Sequence, residues 1–343
     1  MLLLLHPECL AHETGRHPEN PARLVAIWEA LQSASLPAGV SWTEPEPATP
    51  EQVLRVHRPD LVNLVRELAA RGGGPIDADT VTSARSYDAA LVAAGGAIAA
   101  VRHVLANPGR RAFALVRPPG HHATPEQPMG FCLFNNVAIA VRAALDEHGL
   151  KRVAIVDFDV HHGNGTQAVF AAEPRVLFLS LHQFPWYPGT GRLEEMGEGA
   201  ARGQTVNLAL PAGCGDVAYG AAFERVVGPV VRRFQPELII VSAGFDAHWA
   251  DPLAEMALST TGFVAMARAL AELADELCQG RLALTLEGGY DRSALASSVV
   301  AVTTALAGGE PIDLLGPSPT GELANVDPLL DRICRRHGLI RSS

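Results

Sequence analysis

Hydrophobic and polar residues alternate along this chain on two length scales. Short apolar runs rich in Val, Ile and Leu are separated by longer segments in which apolar residues recur every three or four positions. The short runs are typical of strands buried on both faces, and the longer segments of helices packed on a sheet. The runs predict strands at residues 2–5, 112–116, 153–158, 176–181, 205–210, 238–242 and 282–286. The longer segments predict helices at residues 21–33, 50–71 with a break before Pro59, 86–105, 136–148, 165–172, 216–234, 259–278 and 293–306.

Strands that alternate with helices predict an α/β fold with right-handed crossovers. We therefore expect a single open, mostly parallel β-sheet with helices on both faces. No Pro-, Gly- or Ser-rich linker interrupts the alternation, so residues 1–310 are predicted to form one domain. Residues 311–343 are predicted to be a C-terminal tail packed on this domain or extending from it. Residues 77–87 are predicted to be an exposed loop.

Composition narrows the class of protein. The chain has 343 residues, of which 48% are hydrophobic and 19% charged, as in soluble globular proteins. A net charge of −10 disfavours nucleic acid or an anionic membrane as a partner. The five cysteines are scattered and form no Cys-x-x-Cys pair, which indicates neither a disulfide framework nor a thiolate zinc site. A reducing, cytoplasmic location is expected, and no apolar run approaches the ~20 residues of a membrane span.

Four polar clusters follow four of the predicted strands. They lie at residues 117–123, 157–161, 242–248 and 287–290. In a parallel sheet the carboxyl ends of the strands share one edge, where ligands bind. The clusters are therefore expected to meet in one site.

Asp157, Asp159 and His161 occupy alternate positions at the end of a predicted strand, so their side chains are expected on one side. A single Asp often caps a helix and a single His often only packs. Two buried carboxylates beside an imidazole, however, require a compensating cation. With Asp246 the set becomes one imidazole and two carboxylates, which leaves a coordination position open for catalysis. Zinc suits this set, while Fe(II), Co(II) and Mn(II) stay open.

His121, His122 and Tyr290 supply the groups that hydrolysis needs beside such a metal. Adjacent histidines can be an accident of an exposed loop, and a loop tyrosine is often only a surface residue. Near a metal, one imidazole can act as the base for water and the acid for a leaving amine. A tyrosine that follows two glycines can approach closely and donate to a developing oxyanion, a contribution of about 3 kcal/mol.

Six segments of the chain together resemble the histone deacetylase and acetylpolyamine amidohydrolase family. They occur in the family's order and extend over most of the first 306 residues. The segments are Arg-Pro-Pro-Gly-His-His at 117–122, Gly-Phe-Cys-Leu-Phe-Asn-Asn at 130–136, Asp-Phe-Asp-Val-His-His-Gly-Asn-Gly-Thr at 157–166, Ser-Leu-His at 180–182 with Pro-Gly-Thr-Gly at 188–191, Ser-Ala-Gly-Phe-Asp at 242–246 and Glu-Gly-Gly-Tyr at 287–290. The chain is identified as a class II-like, bacterial-type member.

The resemblance implies an arginase/deacetylase fold and a zinc-dependent enzyme that hydrolyses the linear amide between an acyl group and a primary amine. Matched by position, the zinc ligands are Asp159, His161 and Asp246. The resemblance makes His122 the general base and acid and His121 its electrostatic partner. One zinc ion per chain is implied.

The remaining roles also come from the resemblance. Asp157 would orient His121, and Tyr290 would polarise the substrate carbonyl. A monovalent cation, potassium, would be held by Asp157, Ser180, Leu181 and the carbonyls of Asp159 and His161. The substrate channel would be lined by Gly130, Phe131, Tyr187, Leu253, Gly288 and Gly289, with Asp79 at its rim.

Two departures narrow the substrate class. Asn164 stands where class I deacetylases have an aspartate beside the second histidine, so His122 should be biased less strongly toward its cation. Leu253 stands where the polyamine-preferring member of the family has an acidic gatekeeper. This difference weakens the hypothesis that the substrate is an acetylpolyamine. Tyr290 is retained, unlike in variants that deacetylate poorly.

The sequence therefore predicts removal of an acetyl or other short acyl group from acyl-lysine or a similar acylated amine. The nearest alternative is an amidohydrolase of acetylpolyamines or other small molecules. A dinuclear manganese hydrolase is disfavoured because no further carboxylates are found for a second metal. From a different class, a non-catalytic acyl-lysine binding module would not need Tyr290. Substrate identity and assembly into a homo-oligomer stay open.

Overall fold

The computed structural model describes residues 1–322 and 325–339, and a parallel sheet of eight strands runs through its centre. The strands are β1 (Leu2–Leu4), β2 (Ser41–Thr43), β5 (Arg111–Ala114), β6 (Val153–Asp157), β7 (Val176–Gln183), β8 (Thr205–Leu210), β9 (Leu238–Ala243) and β10 (Leu282–Leu286). A separate antiparallel pair comprises β3 (Gly73–Pro75) and β4 (Val81–Ser83). The order in the main sheet is β2-β1-β5-β10-β9-β6-β7-β8, with every neighbouring pair parallel. The predicted open parallel sheet is confirmed.

Helices cover both faces of the sheet, as predicted. They are α1 (Ala22–Ser33), α2 (Pro50–Leu54), α3 (Pro59–Ala70), α4 (Ser86–Ala106), α5 (Asn136–Asp146), α6 (Asn164–Phe170), α7 (Asp216–Ala222), α8 (Gly228–Phe234), α9 (Thr260–Leu277), α10 (Arg292–Leu306) and α11 (Asp327–Arg336). Side-chain caps define several starts: the side chains of Asn135, Ser259 and Asp291 accept the N–H three residues on.

Helix α4 is long and apolar enough to cross a membrane, but 67% of its most apolar window is buried inside this fold. Its glycines allow close packing: a Cβ at Gly95 would lie 2.0 Å from the carbonyl oxygen of Glu46. Burial in the core thus accounts for the composition of α4.

The structure differs from the local predictions in four places. The segment 77–87 is not simply an exposed loop, because β4 pairs with β3 and Thr80, Thr82 and Ser86 are buried. Strand β2 was missed because its three residues are all exposed and carry no buried-strand pattern. The helix predicted over 216–234 contains a π-helical turn at Phe223–Val227 between α7 and α8. Strand β6 ends at Asp157, so the next two polar residues of its cluster lie beyond the strand.

The described part of the C-terminal tail contacts helix α7, the π turn that follows it and the edge strand β8. The Glu322 carboxylate accepts the N–H groups of Gly215, Val217 and Ala218, at the start of α7. Arg225 forms ion pairs with Asp327 and Asp331 of α11. The bonds to Glu322 satisfy donors that the N-terminus of α7 leaves free.

A buried ion network joins the start of α1 to the loop after β5. Arg117 donates to both oxygens of Glu19, at 2.6 and 2.8 Å. Arg23 donates to Glu19 at 3.1 Å and to the carbonyl oxygens of Glu287 and Gly289, each at 2.6 Å. Burial alone would raise the pKa of Glu19, but the two guanidinium groups outweigh it and lower the pKa to about 2.

Replacing Arg23 by Met tests this network. The change leaves two carbonyl groups unpaired and Glu19 with one guanidinium fewer, all in the interior. We expect the free energy of unfolding to fall by about 3 kcal/mol or more in urea denaturation. The matched control is Arg71→Met, which removes an exposed pair with Glu67 and should lower it by less than about 1 kcal/mol. Equal losses in both variants would contradict the account.

Buried His57 makes stability depend on pH. Its Nδ1 donates to the Thr124 carbonyl oxygen at 2.9 Å, and its Nε2 accepts the N–H of Asn135 at 2.8 Å, so the ring is neutral. Burial lowers its pKa to about 4, below its value near 6.5 when unfolded. The unfolded chain therefore binds more protons between these pH values, and the stability contributed by His57 is lost as pH falls through this window.

We expect the pH dependence of the unfolding free energy between pH 6.5 and 4 to be shallower in His57→Gln than in the wild type. Between pH 6.5 and 4 the wild type should lose about 3 kcal/mol more unfolding free energy than the variant, which corresponds to the shift in the pKa of His57. Urea denaturation at several pH values measures it. Parallel curves for the two proteins would show that His57 does not take up the proton on unfolding.

Candidate active site

The four predicted polar clusters meet at one edge of the sheet. They follow β5, β6, β9 and β10, which are consecutive in the order β5-β10-β9-β6. Because these strands are parallel, their carboxyl ends lie side by side. The convergence expected from the sequence is therefore present.

Asp159, His161 and Asp246 form a buried three-residue group at this edge. One ligand atom from each lies within 4.8 Å of the others. The Nδ1 of His161 is 3.1 Å from Asp159 Oδ1 and 3.2 Å from Asp246 Oδ2. The first two residues lie in the loop beyond β6, so the convergence comes from this loop rather than from strand alternation.

Backbone N–H groups fix the two carboxylates in this arrangement. Gly288 N–H donates to Asp159 Oδ2, and Val160 N–H donates to Asp246 Oδ1, both at 2.8 Å. A Cβ at Gly288 would lie 2.0 Å from Asp246 Oδ2 and 2.6 Å from Asp159 Oδ2. Only glycine therefore lets this backbone approach the carboxylates so closely.

The charges of this group require a cation. Burial lowers the pKa of His161, but its hydrogen bonds to Asp159 and Asp246 outweigh burial and raise the pKa to about 10. The imidazolium proton thus compensates two carboxylates. A divalent ion can replace that proton, since a metal binds the neutral imidazole and ionised carboxylates. The donor set of one nitrogen and two carboxylate oxygens fits such an ion.

His121 and His122 lie side by side, with ring centroids 4.0 Å apart. His121 Nδ1 contacts Asp157 Oδ2 at 2.9 Å, and His122 Nδ1 contacts Asn164 Oδ1 at 2.7 Å. Since an amide oxygen only accepts, His122 Nδ1 carries a proton and the Nε2 of the neutral ring has a free lone pair.

The pKa values of the two histidines are shifted in opposite directions. For His121, burial lowers the pKa, but the carboxylates of Asp159 and Asp157 outweigh it and raise the pKa well above its usual value. For His122, burial and the positive charges of His121 and His161 hold the pKa well below its usual value. The pair therefore comprises a cation and a neutral base.

Two neighbouring side chains, those of Asp251 and Arg23, fix the position of Tyr290. Its N–H donates to Asp251 Oδ2 at 2.6 Å. The Arg23 guanidinium lies over its ring at 4.9 Å from the centroid and bonds the carbonyl oxygen of Gly289 next to it. Burial raises the pKa of the phenol well above its usual value. The hydroxyl is thus retained as a hydrogen-bond donor.

Two of the residues predicted to line the channel, Tyr187 and Phe131, lie beside His122 and Tyr290. The Tyr187 ring is 5.2 Å from that of His122, and the Phe131 ring is 5.7 Å from that of Tyr290, both edge to face. Phe131 has a φ of +68°, an uncommon conformation that often marks a functional site. A Cβ at Gly130 would lie 2.5 Å from the His122 ring, so glycine is needed there.

Leu253 and Asp79, which are predicted to lie further out in the channel, contact neighbours of Tyr187 and Phe131. The carbonyl oxygen of Leu253 accepts the indole N–H of Trp186, at 2.9 Å. The carbonyl oxygen of Asp79 lies 3.0 Å from Nε2 of His17, whose ring packs against Phe131. Asp79 is therefore close to the channel wall, although its side chain makes no bond to it among the described residues.

The predicted monovalent-cation residues are adjacent in the sheet. Asp157 of β6 and Ser180 of β7 are direct partners in the parallel register, and both are fully buried. Asp157 Oδ1 accepts the N–H of Asp159 at 3.1 Å, and Asp157 Oδ2 contacts His121. The carboxylate therefore lies between the loop of the proposed zinc ligands and the histidine pair. Leu181 follows Ser180 in the same buried strand.

Sequence reasoning missed several residues that support the site. Glu19, Arg23 and Asp251 gave no signal because each is an ordinary polar residue whose partners are distant in the chain. Glu287 was only part of a motif, yet its buried carboxylate accepts the N–H groups of Gly120 at 2.7 Å and His121 at 3.2 Å. A second group with ligand-like spacing comprises His121, Cys132 and Glu287.

Comparisons with known proteins agree with this geometry. The histone deacetylase domain model matches residues 17–306. A probable deacetylase of Archaeoglobus fulgidus is 43% identical over 310 residues, which span 89% of this chain and 86% of that protein.

A histone deacetylase-like amidohydrolase of Pseudomonas aeruginosa is 41% identical over 295 residues, covering 85% of this chain and 77% of that protein. The crystal structure of the HDA15 HD domain superimposes with a TM-score of 0.88 at 34% identity, over 98% of this chain and 93% of that one. The chain therefore belongs to the histone deacetylase family of hydrolytic deacetylases.

Proposed function

We propose that this chain is a zinc-dependent hydrolase that removes an acetyl or other short acyl group from the amine of acyl-lysine or a similar acylated primary amine. The observation that carries the proposal is the convergence of Asp159, His161 and Asp246 with a neutral imidazole and a phenol at one sheet edge. A binding module would need only the channel. The retained His122 and Tyr290 support catalysis.

The proposed zinc ligands are Asp159, His161 and Asp246. When bound, zinc supplies a Lewis acid for the amide carbonyl and lowers the pKa of a water molecule. The fit rests on the donor set and on the two buried carboxylates, which share the His161 proton and have the His121 ring, 3.7 Å from Asp159, as the other positive charge beside them. Without a metal ion, the negative charge of the carboxylates keeps His161 protonated, and a protonated imidazole cannot act as a metal ligand.

His122 is the proposed general base and acid. Its Nδ1 is held by Asn164, which leaves Nε2 to accept a proton from water and return it to the leaving amine. A lowered pKa keeps this ring neutral at the start of the reaction. His121, held by Asp157, stays positively charged beside it and opposes early protonation of His122.

Tyr290 is the proposed donor to the carbonyl oxygen. Its hydroxyl stays protonated because burial raises its pKa, so it can stabilise negative charge that develops in the transition state. Arg23 acts through the loop: it bonds the carbonyl oxygens on both sides of Gly288 and packs on the phenol ring. It is thus a positioning residue.

Substrate binding is assigned to the aromatic walls. Phe131 and Tyr187 would contact a methylene chain, with Gly130, Leu253, Gly288 and Gly289 as the neighbouring channel residues. Asp79 would bind the substrate at the rim. Potassium, held by Asp157, Ser180 and the carbonyls of Asp159, His161 and Leu181, would reinforce the loop that carries the zinc ligands. A cytoplasmic location is proposed with this activity.

One observation favours a small-molecule amine as the second candidate substrate. The rim is acidic: burial and the neighbouring Asp77 side chain raise the pKa of Asp79. Two carboxyl groups so close would attract a substrate that carries an additional ammonium group, such as an acetylated polyamine. Leu253 in place of an acidic gatekeeper argues for the acyl-lysine substrate.

Replacing Tyr290 by Phe tests the mechanism and the substrate together. Zinc-loaded proteins are assayed on a fluorogenic acetyl-lysine peptide and on N-acetylated polyamines. We expect the wild type to hydrolyse at least one substrate and kcat to fall about 100-fold in the variant, because only the hydroxyl is lost. The faster substrate identifies the preferred amine.

The matched control is Tyr87→Phe, the same change at a ring that packs against Phe134 away from the site. Its kcat should stay within about threefold of the wild type. Absence of hydrolysis of every short acyl amide by zinc-loaded wild type would refute the proposed reaction. Equal rates for Tyr290→Phe and wild type would refute the role of the phenol.

A further inference from the structure

An apolar cavity of about 630 Å³ lies beside α1 and the edge strand β2, away from the proposed catalytic residues. Trp28 of α1 and Trp42 of β2 form two of its walls. Leu10 and Val25 are exposed aliphatic residues of the lining, which also includes Leu5, Pro7 and Leu24. Trp28, Trp42, Leu10 and Val25 are 37%, 44%, 37% and 39% exposed, respectively, although large apolar side chains are usually buried.

This surface is separate from the residues assigned to the proposed reaction. None of the proposed metal, proton-transfer or channel residues lines the cavity. Its volume lies within the range of small-ligand pockets, about 300–1,000 Å³. Two tryptophans exposed side by side indicate a binding surface, because such rings provide large contact areas with little conformational freedom to lose.

The arrangement of the two indole rings suits a cation. Their centroids are 5.5 Å apart and their planes are inclined by 59°, so the two rings pack against each other and a ligand contacts their exposed parts rather than a gap between them. The faces of indole rings attract ammonium groups, and tryptophan does so more strongly than other aromatic side chains. Leu10 and Val25 provide apolar contacts for a stem attached to such a group.

Acidic side chains border the same cavity. Glu29 follows Trp28 in α1, and Glu44 lies two residues after Trp42. Neither carboxylate forms an ion pair with Lys or Arg among the described residues. The one basic side chain in the lining is His6, whose Nε2 is 3.9 Å from Glu44. The cavity therefore combines aromatic faces, apolar contacts and negative charge.

We propose that this cavity is a binding site for an alkylammonium ion, with the ammonium group at the indole faces and carboxylates and the apolar stem against Leu10 and Val25. The ligand belongs to the chemical class that hydrolysis of an acylated alkylamine releases. A second copy of the chain is disfavoured as the occupant, because pairing two such surfaces would bring Glu29 and Glu44 close to their own copies on a protein of net charge −10.

The test uses the four tryptophan indole N–H signals in a ¹H–¹⁵N correlation spectrum of the full chain. Hexylammonium is titrated and compared with 1-hexanol, which has the same number of heavy atoms but no charge. We expect the Trp28 and Trp42 signals to shift along one saturation curve. Hexylammonium should bind about fivefold or more tightly than 1-hexanol, the effect of about 1 kcal/mol of cation–π attraction.

The other two tryptophans act as internal references. Trp249, whose indole donates to the Gly316 carbonyl oxygen, should not shift. Trp186 precedes the channel residue Tyr187 and reports entry of the amine into the channel on its own curve. Because the readout is binding, its outcome does not depend on whether the proposed hydrolysis is found.

Charge-only variants separate cation recognition from apolar binding. In Glu29→Gln combined with Glu44→Gln, the preference for hexylammonium over 1-hexanol should fall at least threefold while 1-hexanol binding is retained. Trp28→Leu should weaken hexylammonium binding about fivefold, with folding checked by the unchanged Trp249 signal. No shift of the Trp28 and Trp42 signals at millimolar hexylammonium, or equal affinity for 1-hexanol, would overturn the proposal.

Discussion

The candidate site depends on compensation of two buried carboxylates, those of Asp159 and Asp246. Each is fully removed from water, and both point at one imidazole, so their repulsion must be balanced by a cation. Backbone N–H groups of Gly288, Val160 and His161 donate to these carboxylates, but the ring of His161 is the one side chain that contacts both of them among the described residues. A divalent ion would satisfy this need more fully than the His161 proton does.

The surrounding structure holds the loops rigidly enough to maintain this balance. Gly288 brings a backbone N–H within reach of Asp159, and Arg23 bonds the carbonyl groups on either side of that glycine. Glu19 in turn accepts hydrogen bonds from both Arg23 and Arg117. The ion network thus links the metal-binding group to Tyr290 through one loop, and removing any charge from it leaves an unpaired group in the interior.

The sequence was sufficient to predict the sheet and the four loops of the site because both produce local patterns. Apolar runs mark the buried strands, and the polar clusters that contain His122 and Tyr290 begin where such runs end. Residues whose partners are remote gave no pattern: Glu19 meets Arg117 across 98 positions, and Asp251 meets the Tyr290 backbone across 39. Strand β2 and the π turn also escaped prediction, since an exposed edge strand lacks buried alternation and a π turn keeps helical periodicity.

The most direct test of the central claim is the zinc content of three proteins, each stripped of metal, reloaded with one equivalent of zinc and desalted before elemental analysis. The account predicts about one zinc per chain for the wild type and for Cys132→Ser, and almost none for Asp246→Asn, because the metal needs both buried carboxylates. Retention of zinc by Asp246→Asn together with its loss from Cys132→Ser would contradict the account and assign the metal to the group of His121, Cys132 and Glu287.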